Sequence, residues 1–174
     1  LPSFADLLEK QGRHDQLTLG IPIMEFAQLE AYAGRFYGGR PLLITPYAYT
    51  VTFSALAPAA SASQIINVAA NADFIVTEFH TRSNVGGAAQ TISNMTAPQV
   101  RMLVTDSGSN EQFTQAAVDL ISYTTVGNYA NELPYPRIVS GRSTLTIQLS
   151  NYSSTETYNI DVSAHGVLVR AYSN

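Results

Sequence analysis

Three histidines, His14, His80 and His165, are the side chains of this chain best suited to hold a metal ion or carry a proton near neutral pH. There is no cysteine, so a zinc site would have to be built from imidazole and carboxylate alone. Short-range metal-ligand spacing is missing: no HxH or HxxxH triplet occurs, and His80 and His165 fall in different predicted strands, far apart in the chain. Glu78 and His80 stand at i and i+2, which puts them on one face of a strand. That pair offers a place for an ion, but a cross-strand polar contact is the more ordinary reading, and no metal is expected. Nucleophilic chemistry has no better footing. The chain lacks G-x-S-x-G, and Asp106-Ser107-Gly108 reads as a turn. The carboxylates Asp119, Glu132, Glu156 and Asp161 are dispersed, whereas glycoside hydrolysis needs two across one cleft. Gly38-Gly39-Arg40 and Val85-Gly86-Gly87 lack the lysine and the strand-to-helix setting of a phosphate loop. The expectation is a chain with no catalytic residues, no cofactor and no small-molecule substrate; not an enzyme.

Charge narrows the partners. Nine basic and 13 acidic residues give a net charge of −4, and Lys10 is the one lysine. Without a basic patch the chain is not expected to bind nucleic acid or an anionic membrane surface. Residues 41–72 carry no charge, but Pro41, Pro46 and Pro58 and scattered Ser, Thr, Gln and Asn interrupt them, so they do not read as a membrane span. The opening residues do not read as a signal peptide. Asn94-Met95-Thr96 and Asn151-Tyr152-Ser153 fit the glycosylation sequon, a triplet that chance supplies readily in so polar a chain. Tyr123, Tyr129 and Tyr135, on predicted loops, are candidates for stacking on sugar rings.

The elements that would position these residues are strands. Leu145, Ile147 and Leu149 alternate with Thr144, Thr146 and Gln148, the period of a strand buried on one face. Asn151 to Thr155 is turn chemistry, and Tyr158, Ile160, Val162 and Ala164 alternate again after it, so the two strands read as a closing hairpin. The alternation slips at His165-Gly166, which predicts a bulge, and Val167 and Val169 carry it on. A proline-stiffened corner, Leu133-Pro134-Tyr135-Pro136, precedes the hairpin. Upstream, residues 47–56, 64–69, 74–81 and 99–105 read as further strands. The third has apolar residues on both faces, as a central strand does, and a flexible tip follows it at residues 85–90. Residues 109–125 fit both a helix and a loop followed by a strand; the second reading is favoured. Seven or eight short strands at even spacing predict an all-β, jelly-roll-like antiparallel β-sandwich, occupying residues 46–174.

Residues 1–45 differ. A capping pattern at Ser3 introduces one short helix that stops at Gly12, and residues 24–33 suggest a second that stops at Gly34. This N-terminal arm is either a strap on its own sandwich or a clamp on a neighbouring subunit. The candidate subunit contacts are Phe4, Leu7, Leu8, Phe26, Leu29, Tyr32, Phe36 and Tyr37. Charged residues make up only 13% of the chain, against roughly 25% in ordinary soluble domains, which suits a permanent interface.

The succession of Thr105-Asp106-Ser107-Gly108, a polar Asn-Glu-Gln-Phe segment, Leu133-Pro134-Tyr135-Pro136, Leu149-Ser150-Asn151 and a last strand bearing His165-Gly166 resembles the small β-sandwich virion proteins of tailed bacteriophages. These are the cement or decoration proteins of the capsid and related head-associated proteins. The resemblance covers residues 74–170. It implies a non-enzymatic structural protein, a capsid cement or decoration protein that binds and stabilises the shell. Its partners would be the major capsid protein and itself, as a homodimer or homotrimer. Its location would be the outer surface of the virion capsid, after assembly in the host cytoplasm. A head-to-tail adaptor, collar or tail protein is the near alternative, and a carbohydrate-binding attachment module the distant one.

Overall fold

The structure is a computed structural model and describes residues 26–86, 95–126 and 131–172 of the 174. The chain divides into two compact units, residues 1–38 and residues 39–174. In the first, the described element is helix α1, Phe26–Phe36. Leu29 and Ala33, one turn apart, are its buried positions. The helix runs past Gly34, where the sequence predicts its end. A lone glycine inside a helix costs only about 1 kcal/mol, whereas Gly38 and Gly39 adopt φ of +65° and +74°, the left-handed conformation that stops a helix. The predicted helix at Ser3 and the contacts Phe4, Leu7 and Leu8 lie outside the described residues, as does most of the tip after Val85.

The second unit is an all-β sandwich of two sheets. Strands β1 (Leu42–Leu56), β10 (Tyr158–Ala171), β3 (Asp73–Val85) and β8 (Asn131–Val139) pair antiparallel in that order, and β7 (Thr124–Val126) runs parallel to β3. Strands β2 (Ser61–Asn67), β9 (Thr144–Asn151) and β4 (Val100–Asp106) form the other sheet, extended on β4 by the two-residue strands β5 (Glu111–Gln112) and β6 (Val118–Asp119). Successive long strands alternate between the sheets, and the orders 1-10-3-8 and 2-9-4-6 are those of a jelly roll. β1 takes up residues 42–45, ahead of the sandwich boundary expected at residue 46.

One core joins the sheets. Phe53, Phe74, Phe79, Ile160 and Val162 of the first meet Met102, Val104, Leu145, Ile147 and Leu149 of the second, all at most 2% exposed. Burial of each large side chain is worth roughly 1.5–3 kcal/mol. The alternation read in the sequence for β4 and β9 is present residue by residue.

Three expectations need correction. The closing hairpin does not exist: β9 and β10 belong to different sheets, β9 pairing with β2 and β4 and β10 with β1 and β3. Alternation reports that one face is buried, and it is silent on which neighbour supplies the ladder. The proline corner is part of β8. Residues 133–136 fall between the paired positions Glu132 and Arg137, in a register break opposite Thr77. Among the described residues β8 pairs with β3 alone, and an edge strand tolerates prolines where its ladder is interrupted. Residues 109–125 contain the favoured strand at β7, but a single helical turn, α2 (Leu120–Tyr123), leads into it. None of the described helices is long and apolar enough to cross a membrane.

Candidate functional site

The most distinctive local feature lies at Thr77. Upstream of it, Phe74 and Val76 of β3 point into the core; downstream, Phe79 does. That is a change of parity, and it requires one extra residue. The register shows it: His165 of β10 pairs with Glu78, while the next residue, Gly166, pairs with Val76, leaving Thr77 unopposed. The bulge predicted at His165-Gly166 is therefore present, but the inserted residue is on β3. β10 keeps its parity throughout, and Leu168 is its next core residue; Val167 and Val169 are buried on the opposite face. Gly166 is obligatory at this crossing, since a Cβ there would stand 1.9 Å from the carbonyl oxygen of Ile75. The Thr77 hydroxyl donates to the backbone carbonyl of His165 at 3.3 Å, tying the bulge to β10.

The consequence is chemical. With the extra residue, Glu78 and His80 turn away from the core, and His165, outward by its own parity, becomes their cross-strand neighbour. His80 Nε2 lies 3.2 Å from Glu78 Oε1, with side chains 33% and 22% exposed. Despite that proximity, His80 Nε2 is shielded from solvent and lacks an aligned hydrogen bond. The imidazoles of His80 and His165 lie 4.3 Å apart between ring centroids, tilted by 43°. One ligand atom from each of Glu78, His80 and His165 falls within 4.8 Å of the other two. Burial pushes the His165 imidazole below its ordinary pKa of 6.5, and His80 adds to this while Glu78 opposes it. Along the same face, Ser163 pairs with His80 and bonds Thr50 at 2.8 Å, and Asp161 accepts from the Thr52 hydroxyl at 2.7 Å.

In the sequence the histidines read as unrelated and Glu78 and His80 as a polar contact between strands. The structure joins them, because β10 returns beside β3 in a topology that strand spacing alone does not reveal. The other candidates separate. Asp106 is a turn builder: its carboxylate accepts from Gly108 N–H at 2.8 Å and the Ser109 hydroxyl at 2.7 Å, and the Ser107 hydroxyl accepts from Thr144 N–H at 2.8 Å. Asp119 faces Arg101 at 3.6 Å. Asn151 is buried, and its amide donates to the carbonyls of Leu56, Ala57 and Glu156, so the folded chain does not present this sequon for glycosylation. Of the three tyrosines considered for sugar stacking, Tyr123 is a core residue packed edge-on to Phe79, Tyr129 lies outside the described residues, and Tyr135 is 81% exposed.

Among the arm residues, Leu29 is buried, Tyr32 and Phe36 are exposed, and half-buried Tyr37 packs edge-on to Phe36 at 5.0 Å; Phe26 opens the helix. Comparison with family models, curated proteins and solved structures returns no match to this chain. What stands is a mostly β chain in which the described residues bring one group of potential metal ligands together.

Proposed function

We propose that this chain is a virion structural protein, a cement or decoration protein that binds and stabilises the capsid shell of a tailed bacteriophage. The observation that carries the proposal is the strand order, 1-10-3-8 facing 2-9-4-6, an architecture shared by viral capsid and lectin domains. Two further features support it. A separate compact N-terminal unit precedes the sandwich, with Tyr32 and Phe36 exposed on its helix, as a docking arm requires. The low charge of the chain suits a permanent, extensive interface, of a kind that often buries more than about 2,000 Å². In this role the chain acts by burying surface against the major capsid protein and against copies of itself, and the sandwich serves as a rigid carrier.

The test is the copy number per purified particle, measured by quantitative mass spectrometry. Hundreds of copies are expected for a shell protein. A dozen or fewer would move the chain to the neck or tail, and absence from the particle would refute a virion role. Glycan binding to the exposed Tyr135 surface, with no association with capsids, would instead favour an attachment module.

A further inference from the structure

We propose that Glu78, His80 and His165 form a binding site for a divalent transition metal of the zinc class. Geometry is the first argument. A tetrahedral zinc ion holds nitrogen and oxygen ligands at about 2.0–2.1 Å, which spaces ligand atoms about 3.3 Å apart. Glu78 Oε1 and His80 Nε2 already stand 3.2 Å apart. One ligand atom from each of the three residues lies within 4.8 Å of the other two, at most about 1.5 Å beyond the tetrahedral spacing.

Donor chemistry is the second argument. Two imidazoles and one carboxylate suit zinc, and also cobalt, nickel or ferrous iron, whereas calcium and magnesium require oxygen-rich shells. The third argument is that the fold builds this arrangement at the cost of its own regularity. The insertion at Thr77 sets Glu78 and His80 outward, and Gly166 permits the tight strand crossing beside them. His80 Nε2 is shielded from water without an aligned hydrogen-bond partner, so a bound cation would supply what that atom lacks. Three protein ligands leave a fourth position open to water. The ion would bridge β3 and β10 beside the bulge and so add its binding free energy to the stability of the sandwich.

The full chain, freed of metal with a chelator and dialysed, is titrated with CoCl2 and followed by visible absorption, then with ZnCl2 in competition. One equivalent is expected to bind with the intense absorption of four-coordinate cobalt, and zinc is expected to displace it. At zinc about a hundredfold above Kd the melting temperature should rise by about 5 °C or more. H80Q and H165Q should each weaken binding at least about tenfold, E78Q should weaken it as well, and H14Q should leave it unchanged. The variants should melt with the metal-free wild type in chelator. The wild-type spectrum alone decides the matter if a variant misfolds. Absence of cobalt uptake, or only the weak absorption of six-coordinate cobalt, overturns the site. So does uptake that survives H80Q and H165Q or disappears in H14Q.

Discussion

The β2–β9–β4 sheet consists of strands of seven, eight and seven residues whose pairing runs without a break. In β9 the buried Leu145, Ile147 and Leu149 alternate with Thr144, Thr146, Gln148 and Ser150, and in β4 the buried Val100, Met102 and Val104 alternate with Arg101, Leu103 and Thr105. The β1–β10–β3–β8 sheet has strands of 15, 14, 13 and nine residues, and all three of its antiparallel pairings contain a register shift. Two of those shifts meet at Thr77. The first sheet only closes the core. The second closes the same core and also sets Glu78, His80 and His165 together on its outer face. The difference teaches that an irregular strand is where a sandwich re-aims side chains, and that a regular one spends its whole pattern on burial.

The comparison breaks first at the core, if the two sheets do not share it. Ile147→Ala and Phe79→Ala, one from each sheet, should each cost about 4 kcal/mol in urea unfolding. A cost below about 1 kcal/mol for either would mean that its sheet is not packed as described. Gly166→Ala should cost about 3 kcal/mol, because a Cβ meets the Ile75 carbonyl. Gln148→Ala, on the exposed face of the regular sheet, should stay within about 0.5 kcal/mol. Equal effects at these two positions would erase the contrast between the strands.

Asn151→Ala should cost about 2 kcal/mol by orphaning the carbonyls that its amide joins at the end of β9. A smaller effect is expected on pH dependence. The folded-state pKa of His165 lies below 6.5, so the unfolded chain takes up this proton first. Stability of the metal-free protein should therefore fall as pH drops below about 6.5 and level off below the folded-state pKa. Unfolding midpoints across that range should show the slope in the wild type and a reduced slope in H165Q.

Much of the fold is legible in the residues. Val100, Met102 and Val104, and Leu145, Ile147 and Leu149, announce half-buried strands, because a period of two has one physical cause. The position of the bulge is marked at Gly166 for a different reason: the apolar pattern changes face there because Val167 and Val169 are buried on the outer face, while β10 itself keeps its parity. Partnership is not legible. Nothing local in β9 or β10 tells whether they pair with each other or cross between sheets. Thr77 does not announce itself either, because Phe74, Ile75 and Val76 are all buried and mask the change of parity that follows them. The site depended on both. His80 and His165 become neighbours only once the β3–β10 register is known, so single-strand reasoning reached the Glu78–His80 pair and stopped there.

The most direct measurement is a crystal structure of the zinc-soaked full chain with anomalous data collected on either side of the zinc edge. A single strong anomalous peak is predicted on the outer face of the long-stranded sheet, within about 2.0–2.2 Å of Glu78, His80 and His165. A peak on the regular sheet or at His14, or a map with no peak at the three residues, would contradict the claim that the irregular face is the one built to bind.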